Sequence, residues 1–193
     1  MSDTPDAIQA IATRHPSPGE QFFPAFQVTP DLVKRAQEYV EMYPEGKAQS
    51  AVLPIIHMVQ EEFGYISPES IPWIAEMCRS TPIHVEGVAS FYPGIHRMCP
   101  GKWHIRVCHT IACALSGGEE LIPYICEKTG IDPTAMTDEE PMAVSPDGLW
   151  SIEAVECLAH CGFGPNIMIN DTLYSQVDKA KVDELVEQYK QKA

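Results

Sequence analysis

The chain has 193 residues, 45% of them hydrophobic and 21% charged, with 12 glycines and 17 prolines, a composition that excludes a disordered or collagen-like polymer. Its 27 acidic residues against 13 Lys and Arg give a formal net charge of -14, which repels nucleic-acid phosphates and anionic lipid headgroups alike. No apolar run approaches the roughly 18 to 20 residues that cross a bilayer, so neither nucleic acid nor direct membrane insertion is expected.

The N-terminal Met1-Ser-Asp-Thr-Pro-Asp6 carries acid where a signal or transit peptide carries base, so a cytoplasmic location is expected. Residues 1–24 show no sustained period and read as a flexible tail. Thr29 before Pro30 is an N-cap with proline at the first helical position; it opens a helix through Leu32, Val33, Ala36 and Val40 to about Met42. A second helix is expected from Gly46 or Lys47 to Phe63, with Val52, Leu53, Ile56, Val59 and Phe63 at helical spacing and Gly64 as its stop. Pro54 marks its true start or a kink. Ser67-Pro68-Glu69 opens a third helix through Ile71, Ile74, Ala75 and Cys78, and Thr81-Pro82 a fourth ending near Ser90. Residues 25–98 thus read as a helical bundle domain.

After Cys99-Pro-Gly101 the period changes to two. Trp103, Ile105 and Val107 mark one face of a half-buried strand leading into Cys108. A helix follows from about Gly118 to Lys128, stopped by Gly130, then a hairpin of Met142–Val144 and Leu149–Val155 around Asp147-Gly148. A second hairpin pairs Ile167–Ile169 with Thr172–Tyr174 across Asn170-Asp171, and a last helix buries Val182, Leu185, Val186 and Tyr189. The predicted class is α+β: an N-terminal helical bundle, then an α/β domain over residues 99–193.

Seven cysteines in a reducing compartment point to metal ligands or buried thiols rather than a disulfide framework. Four form two short pairs, Cys108-x4-Cys113 and Cys157-x3-Cys161, each just after a predicted strand, where loops converge at one end of a sheet. Two such pairs meeting in space suit a [2Fe-2S] cluster or a tetrahedral zinc; the wide gaps favour the binuclear cluster, and unligated thiols remain the third reading. Gly117 and Gly118 after Cys113, and Gly162 and Gly164 after Cys161, allow close backbone approach to a sulfide or serve as plain turns.

Several stretches extend this pattern: Tyr43-Pro44, Leu53-Pro54, Val88-Ala-Ser-Phe-Tyr92, Gly101-Lys102, Val107-Cys108-x4-Cys113-x-Leu115-x-Gly117, Val155-Glu-Cys-Leu158-x2-Cys161-Gly-x2-Pro165 and Ile169-Asn170. With them the chain resembles the 24-kDa-type [2Fe-2S] subunit of respiratory NADH dehydrogenase (complex I), a thioredoxin-like ferredoxin, over about residues 43–175. The resemblance implies that Cys108 and Cys113 bind one iron and Cys157 and Cys161 the other, and that the helical half docks the flavin subunit. The acidic Thr137–Glu140 segment departs from the family as an enlarged surface hairpin. Pro93-Gly94, and His160 where a small residue is expected, also depart.

Of the other cysteines, Cys78 and Cys126 fall on helical patterns and are expected buried, whereas Cys99 beside Pro100 is open to exposure. His109 and His160 invite a Rieske reading, disfavoured because four thiols already fill the positions. His57 and Glu61 read as a surface pair, and Glu61 and Glu62 as a solvated face. No Gly-x-Gly-x-x-Gly follows a strand, and Gly162-x-Gly164 is too short to cradle a pyrophosphate. A [2Fe-2S] centre takes one electron where NADH gives two as hydride, so the electrons must come from a flavin elsewhere. The resemblance implies FMN and NADH on a partner subunit, with further iron–sulfur subunits in the same complex.

The leading expectation is an electron-transfer subunit of an NADH:quinone oxidoreductase, peripheral on the cytoplasmic side of the membrane. The alternatives are the diaphorase part of an NAD-linked hydrogenase or formate dehydrogenase, and a zinc-stabilised interaction module. Four thiolates in an acidic chain, with Glu153 and Glu156 near the second pair, imply a potential in the range of about -400 mV. Protonation of His109 or His160 would make it depend on pH.

Overall fold

The helical periods of the first half emerge as four α-helices in the computed structural model, which describes residues 17–137 and 140–192. They are α1 (Pro30–Glu41), α2 (Val52–Phe63), α3 (Ser70–Met77) and α4 (Pro82–Phe91), all within a unit whose described part is Phe23–Cys99. Thr29 caps α1 as expected, its Oγ1 accepting the Leu32 N–H at 3.1 Å. Helix α2 is preceded by a 3-10 turn, Ala48–Ala51, and Pro54 falls in its first turn, where a missing N–H costs no intrahelical bond. The proline therefore neither starts nor kinks the helix. Gly64 ends it at φ +82°, with the Phe23 ring packed where a β-carbon would stand.

Helix α3 starts later than Ser67-Pro68-Glu69 suggests. The Ser67 carbonyl accepts both the N–H (3.0 Å) and the hydroxyl (2.7 Å) of Ser70, which makes those residues a turn ahead of the helix. The core of this unit includes Leu32, Ile55, Ile56, Val59, Ile74 and Val85, each fully buried and each contributing about 1.5–3 kcal/mol of transfer free energy. Pro93-Gly94 forms a turn pinned by one side chain: Gln60 donates to Gly94 O at 2.8 Å and accepts from the His96 N–H at 2.6 Å. His57 and Glu61 are exposed, but Glu62 is not a merely solvated charge, because it pairs with Arg35.

The second unit, Ser17–Phe22 with Pro100 onward, holds a five-stranded sheet in the order β2-β3-β1-β4-β5. Its strands are β1 (Trp103–Cys108), β2 (Met142–Val144), β3 (Trp150–Val155), β4 (Ile167–Ile169) and β5 (Thr172–Tyr174). Both expected hairpins form, β2/β3 and β4/β5, with Gly148 at φ +69° and Asn170 at φ +48° in their turns. The β1/β3 pair is parallel, joined through α5 (Ile111–Leu115), α6 (Gly118–Thr129) and β2. Helix α7 (Lys179–Lys190) follows β5 and buries the four residues expected of it, Val182, Leu185, Val186 and Tyr189.

β1 is not half-buried. Adjacent His104 and Ile105 are 4% and 1% exposed, as in a central strand covered on both faces, so the alternating pattern understates its burial. In the stretch expected to be a loose tail, Pro18–Phe22 forms a 3-10 helix, with Gln21 donating to Asp147 O at 2.7 Å and Pro18 O packed against Gly148. Residues 1–16 lie outside the described residues, as do Asp138 and Glu139 of the expected enlarged hairpin. No helix among the described residues is long and apolar enough to cross a membrane.

Candidate metal centre

Cys108 is the last residue of β1 and stands in register with Val155, the last of β3. The His109 N–H continues that ladder to Val155 O at 3.1 Å. Because the two strands are parallel, both chains leave the sheet at the same end, and Cys157 emerges two residues beyond Val155. Cys113 lies not in an open loop but on the short helix α5. There the Thr110 carbonyl accepts the N–H groups of both Cys113 and Ala114 at 2.9 Å. Cys161 starts a 3-10 turn, Cys161–Phe163.

The two pairs differ in setting. Cys108 and Cys113 are buried, whereas Cys157 and Cys161 are exposed, their sulfurs 3.4 Å apart. Burial pushes the Cys108 thiol up, but hydrogen bonds with Thr110, Leu158 and Cys113 outweigh it and hold the group below the usual thiol range. Burial, then its hydrogen bond with Cys108, pushes Cys113 up against the opposing donors of Asn166. Cys161 is raised by its hydrogen bond and charge interaction with Cys157, with smaller contributions from Cys113 and Cys108. The four sulfurs therefore share one electrostatic neighbourhood, and a cation among them would favour all four thiolates at once.

A tetrahedral zinc with bonds of about 2.3 Å would set all four sulfurs about 3.8 Å apart. Among the described residues, no three of these sulfurs fall within 4.8 Å of one another. The two pairs, brought to one end of the sheet, form a donor set of four thiols that could hold a metal centre.

Local backbone supports the ligand loops. Gly117 sits at φ +93°, and Gly118 packs against the carbonyl oxygens of Cys108 and Cys113. Ala159 occupies the left-handed region at φ +57° and donates its N–H to Cys157 Sγ at 3.3 Å. Gly164 lies against Ser116 and Ala112, whereas Gly162 faces open space.

Residues 36–190 match the family model described as thioredoxin-like [2Fe-2S] ferredoxin. The chain belongs to that family. It is 40% identical over 151 residues to an NADH-quinone oxidoreductase subunit of Thermus thermophilus, covering 78% of this chain and 79% of that one. To an NADH-quinone oxidoreductase subunit of Aquifex aeolicus it is 34% identical over 164 residues, 85% of this chain and 96% of the relative. Its fold is similar to part of an NAD+-reducing [NiFe]-hydrogenase in the H2-reduced state, with a TM-score of 0.63 at 16% identity. That match covers 76% of this chain and 23% of the hydrogenase chain.

The other three cysteines of this ferredoxin are buried. Cys78 and Cys126 are buried as expected; burial pushes the Cys78 thiol up to about 11, and burial followed by Asp132 raises Cys126. Cys99 is buried too, at 1% exposure, so its proline neighbour does not leave it open. His109 is exposed with Nε2 3.9 Å from Glu156, and the His160 ring lies 4.8 Å from that of Phe163.

Two features escaped sequence reasoning. Glu153 is no exposed carboxylate: it is 5% exposed, with Oε2 3.2 Å from His104 Nε2, while His104 Nδ1 meets Ser151 Oγ at 2.8 Å. Asn166, just after Pro165, touches both ligand loops. The only signal for either was position, in a strand entering a cysteine pair and directly after a cysteine motif.

Proposed function

We propose that Cys108, Cys113, Cys157 and Cys161 hold one [2Fe-2S] cluster, and that the chain is the electron-transfer subunit of an NADH:quinone oxidoreductase. One observation carries this reading: parallel β1 and β3 deliver two thiol pairs to one end of the sheet, in a chain 40% identical to an NADH-quinone oxidoreductase subunit. The bound cluster supplies a site for one electron at a time. NADH gives up a two-electron hydride, so a flavin must divide the pair, and FMN and NADH belong to a partner subunit. Cys108 and Cys113 anchor one iron in the buried interior, and Cys157 and Cys161 place the other at the surface, towards that partner. Further iron–sulfur subunits carry the electron on, and the assembly holds the chain at the cytoplasmic face of the membrane.

The helical residues from about 28 to 98 form much of the contact with the flavin subunit. The supporting observation is exposed apolar surface on and beside α4, where Ile83 is 78% and Phe91 76% exposed, with Tyr92 against the Phe91 ring. A diaphorase role in an NAD-linked hydrogenase shares this chemistry, but the hydrogenase likeness at 16% identity extends only to the fold.

The test is the metal itself. Protein purified from iron-replete cells is expected to be brown, with two irons and two labile sulfides per chain and a rhombic electron paramagnetic resonance signal on reduction. Zinc in place of iron would overturn the redox reading.

A further inference from the structure

Asn166 links the two ligand loops. It precedes β4, and its carbonyl accepts the Cys108 N–H at 3.1 Å, extending the β1/β4 ladder to the first cysteine. Its side-chain amide turns to the other ligands: Nδ2 lies 3.4 Å from Cys113 Sγ and 2.9 Å from the carbonyl of His160, the residue before Cys161. The residue is 1% exposed. The amide orientation follows from its neighbours, since a carbonyl oxygen and a thiolate both accept, and only an NH2 group can serve both. Among the described residues Oδ1 is buried without a hydrogen-bond partner. Leaving a buried acceptor unpaired is unfavourable, a cost tolerated here while both amide hydrogens are committed to the ligand loops.

We infer that Asn166 is a positioning residue that raises the reduction potential of the cluster through its amide donor to Cys113. A thiolate ligand gains negative charge when the cluster takes an electron, and a donor fixed in a dry setting strengthens as that charge grows. The reduced state therefore gains more from the bond than the oxidised state does. The same bond favours deprotonated Cys113 over the thiol, which opposes the effect of burial. The chain's other asparagine, Asn170, is committed at the far end of β4, donating to Lys102 O and accepting from the His104 N–H.

This inference rests on the cluster assignment above, and the experiment separates the two. Potentiometric titration of the full-length holoprotein, followed by the resonance signal of the reduced cluster, compares wild type with Asn166→Leu and Asn166→Asp. The leucine variant keeps the shape without the donor and is expected to hold the electron roughly tenfold less tightly, a fall of about 59 mV. The aspartate variant, with a carboxylate beside the thiolate, falls further. An unshifted potential in a leucine variant with full iron content would overturn the role of Asn166 alone, whereas wild type without an iron–sulfur signal would overturn the cluster assignment too. Should neither variant retain iron, wild type carrying 15N only in asparagine side chains decides. A hyperfine coupling from that nitrogen to the reduced cluster is expected, and its absence overturns the inference.

Discussion

The Cα of Gly118 packs against the carbonyl group of Cys113 so closely that an added β-carbon would stand 2.9 Å from its oxygen, and equally near that of Cys108. Both contacts are backbone, which cannot rotate away as a flexible side chain would. Gly118→Ala is therefore expected to destabilise the holoprotein by about 1–3 kcal/mol in urea unfolding and to speed iron loss to a chelator. Wild-type stability and iron retention in that variant would show that the α5–α6 corner yields.

Gly87 presents the opposite case. It lies in α4, exposed, with nothing within 4 Å of an added β-carbon. Gly87→Ala should stabilise the helical unit by roughly 0.8–1 kcal/mol, the helix-propensity difference. Thermal unfolding followed by circular dichroism measures it.

The buried imidazole of His104 should govern part of the acid sensitivity. Its Nδ1 meets Ser151 Oγ at 2.8 Å, its Nε2 lies 3.2 Å from Glu153 Oε2, and Gly101 donates its N–H to the same Ser151 Oγ at 2.9 Å. Burial first, then Arg106, pushes His104 from 6.5 down to about 3. The native state thus refuses a proton that the unfolded chain accepts. Stability from this group is complete above about pH 6.5 and is lost progressively as pH falls towards 3. Urea midpoints between pH 7 and pH 5, above most carboxylate titration, should fall for wild type and fall less for His104→Gln.

The buried thiols give a chemical counterpart. Iodoacetamide should leave Cys78, Cys99 and Cys126 of the native holoprotein unmodified and label all three after denaturation. Because Cys78 ionises only near 11 when folded, against 9.0 for an ordinary thiol, its stabilising effect is present below pH 9 and declines as pH rises towards 11. Cys78→Ala should flatten that part of the alkaline stability profile. Mass spectrometry of the alkylated peptides and urea midpoints at pH 8 and pH 10 check the two expectations.

Legibility in the sequence followed the range of the forces. Caps and turns act over three or four residues, so Thr29, Gly64, Asp147-Gly148 and Asn170-Asp171 announced their elements directly. The four cysteines stood out through short spacing, and the resemblance lay in motifs around them. Helix α5 did not show, because five residues make little more than one turn and cannot repeat an amphipathic period, and Thr110 caps it through its backbone carbonyl. The burial of His104 and Glu153 was equally hidden: their partnership crosses 49 residues, and it exists only once β1 and β3 are adjacent. Asn166 carried no pattern, since its contacts depend on where the loops close.

The register that sets Cys108 opposite Val155 also limits how the length of this chain can vary. Adding or deleting one residue in β1 or β3 would slide one cysteine pair past the other by about 3.3 Å and turn every later side chain of that strand to the opposite face. A strand insertion would thus separate the thiols and expose the core in a single step. Homologues that gain or lose residues should do so between Thr137 and Glu140, two residues that hydrogen-bond to each other outside the strands, and keep the intervals from Trp103 to Cys108 and from Trp150 to Cys157 unchanged.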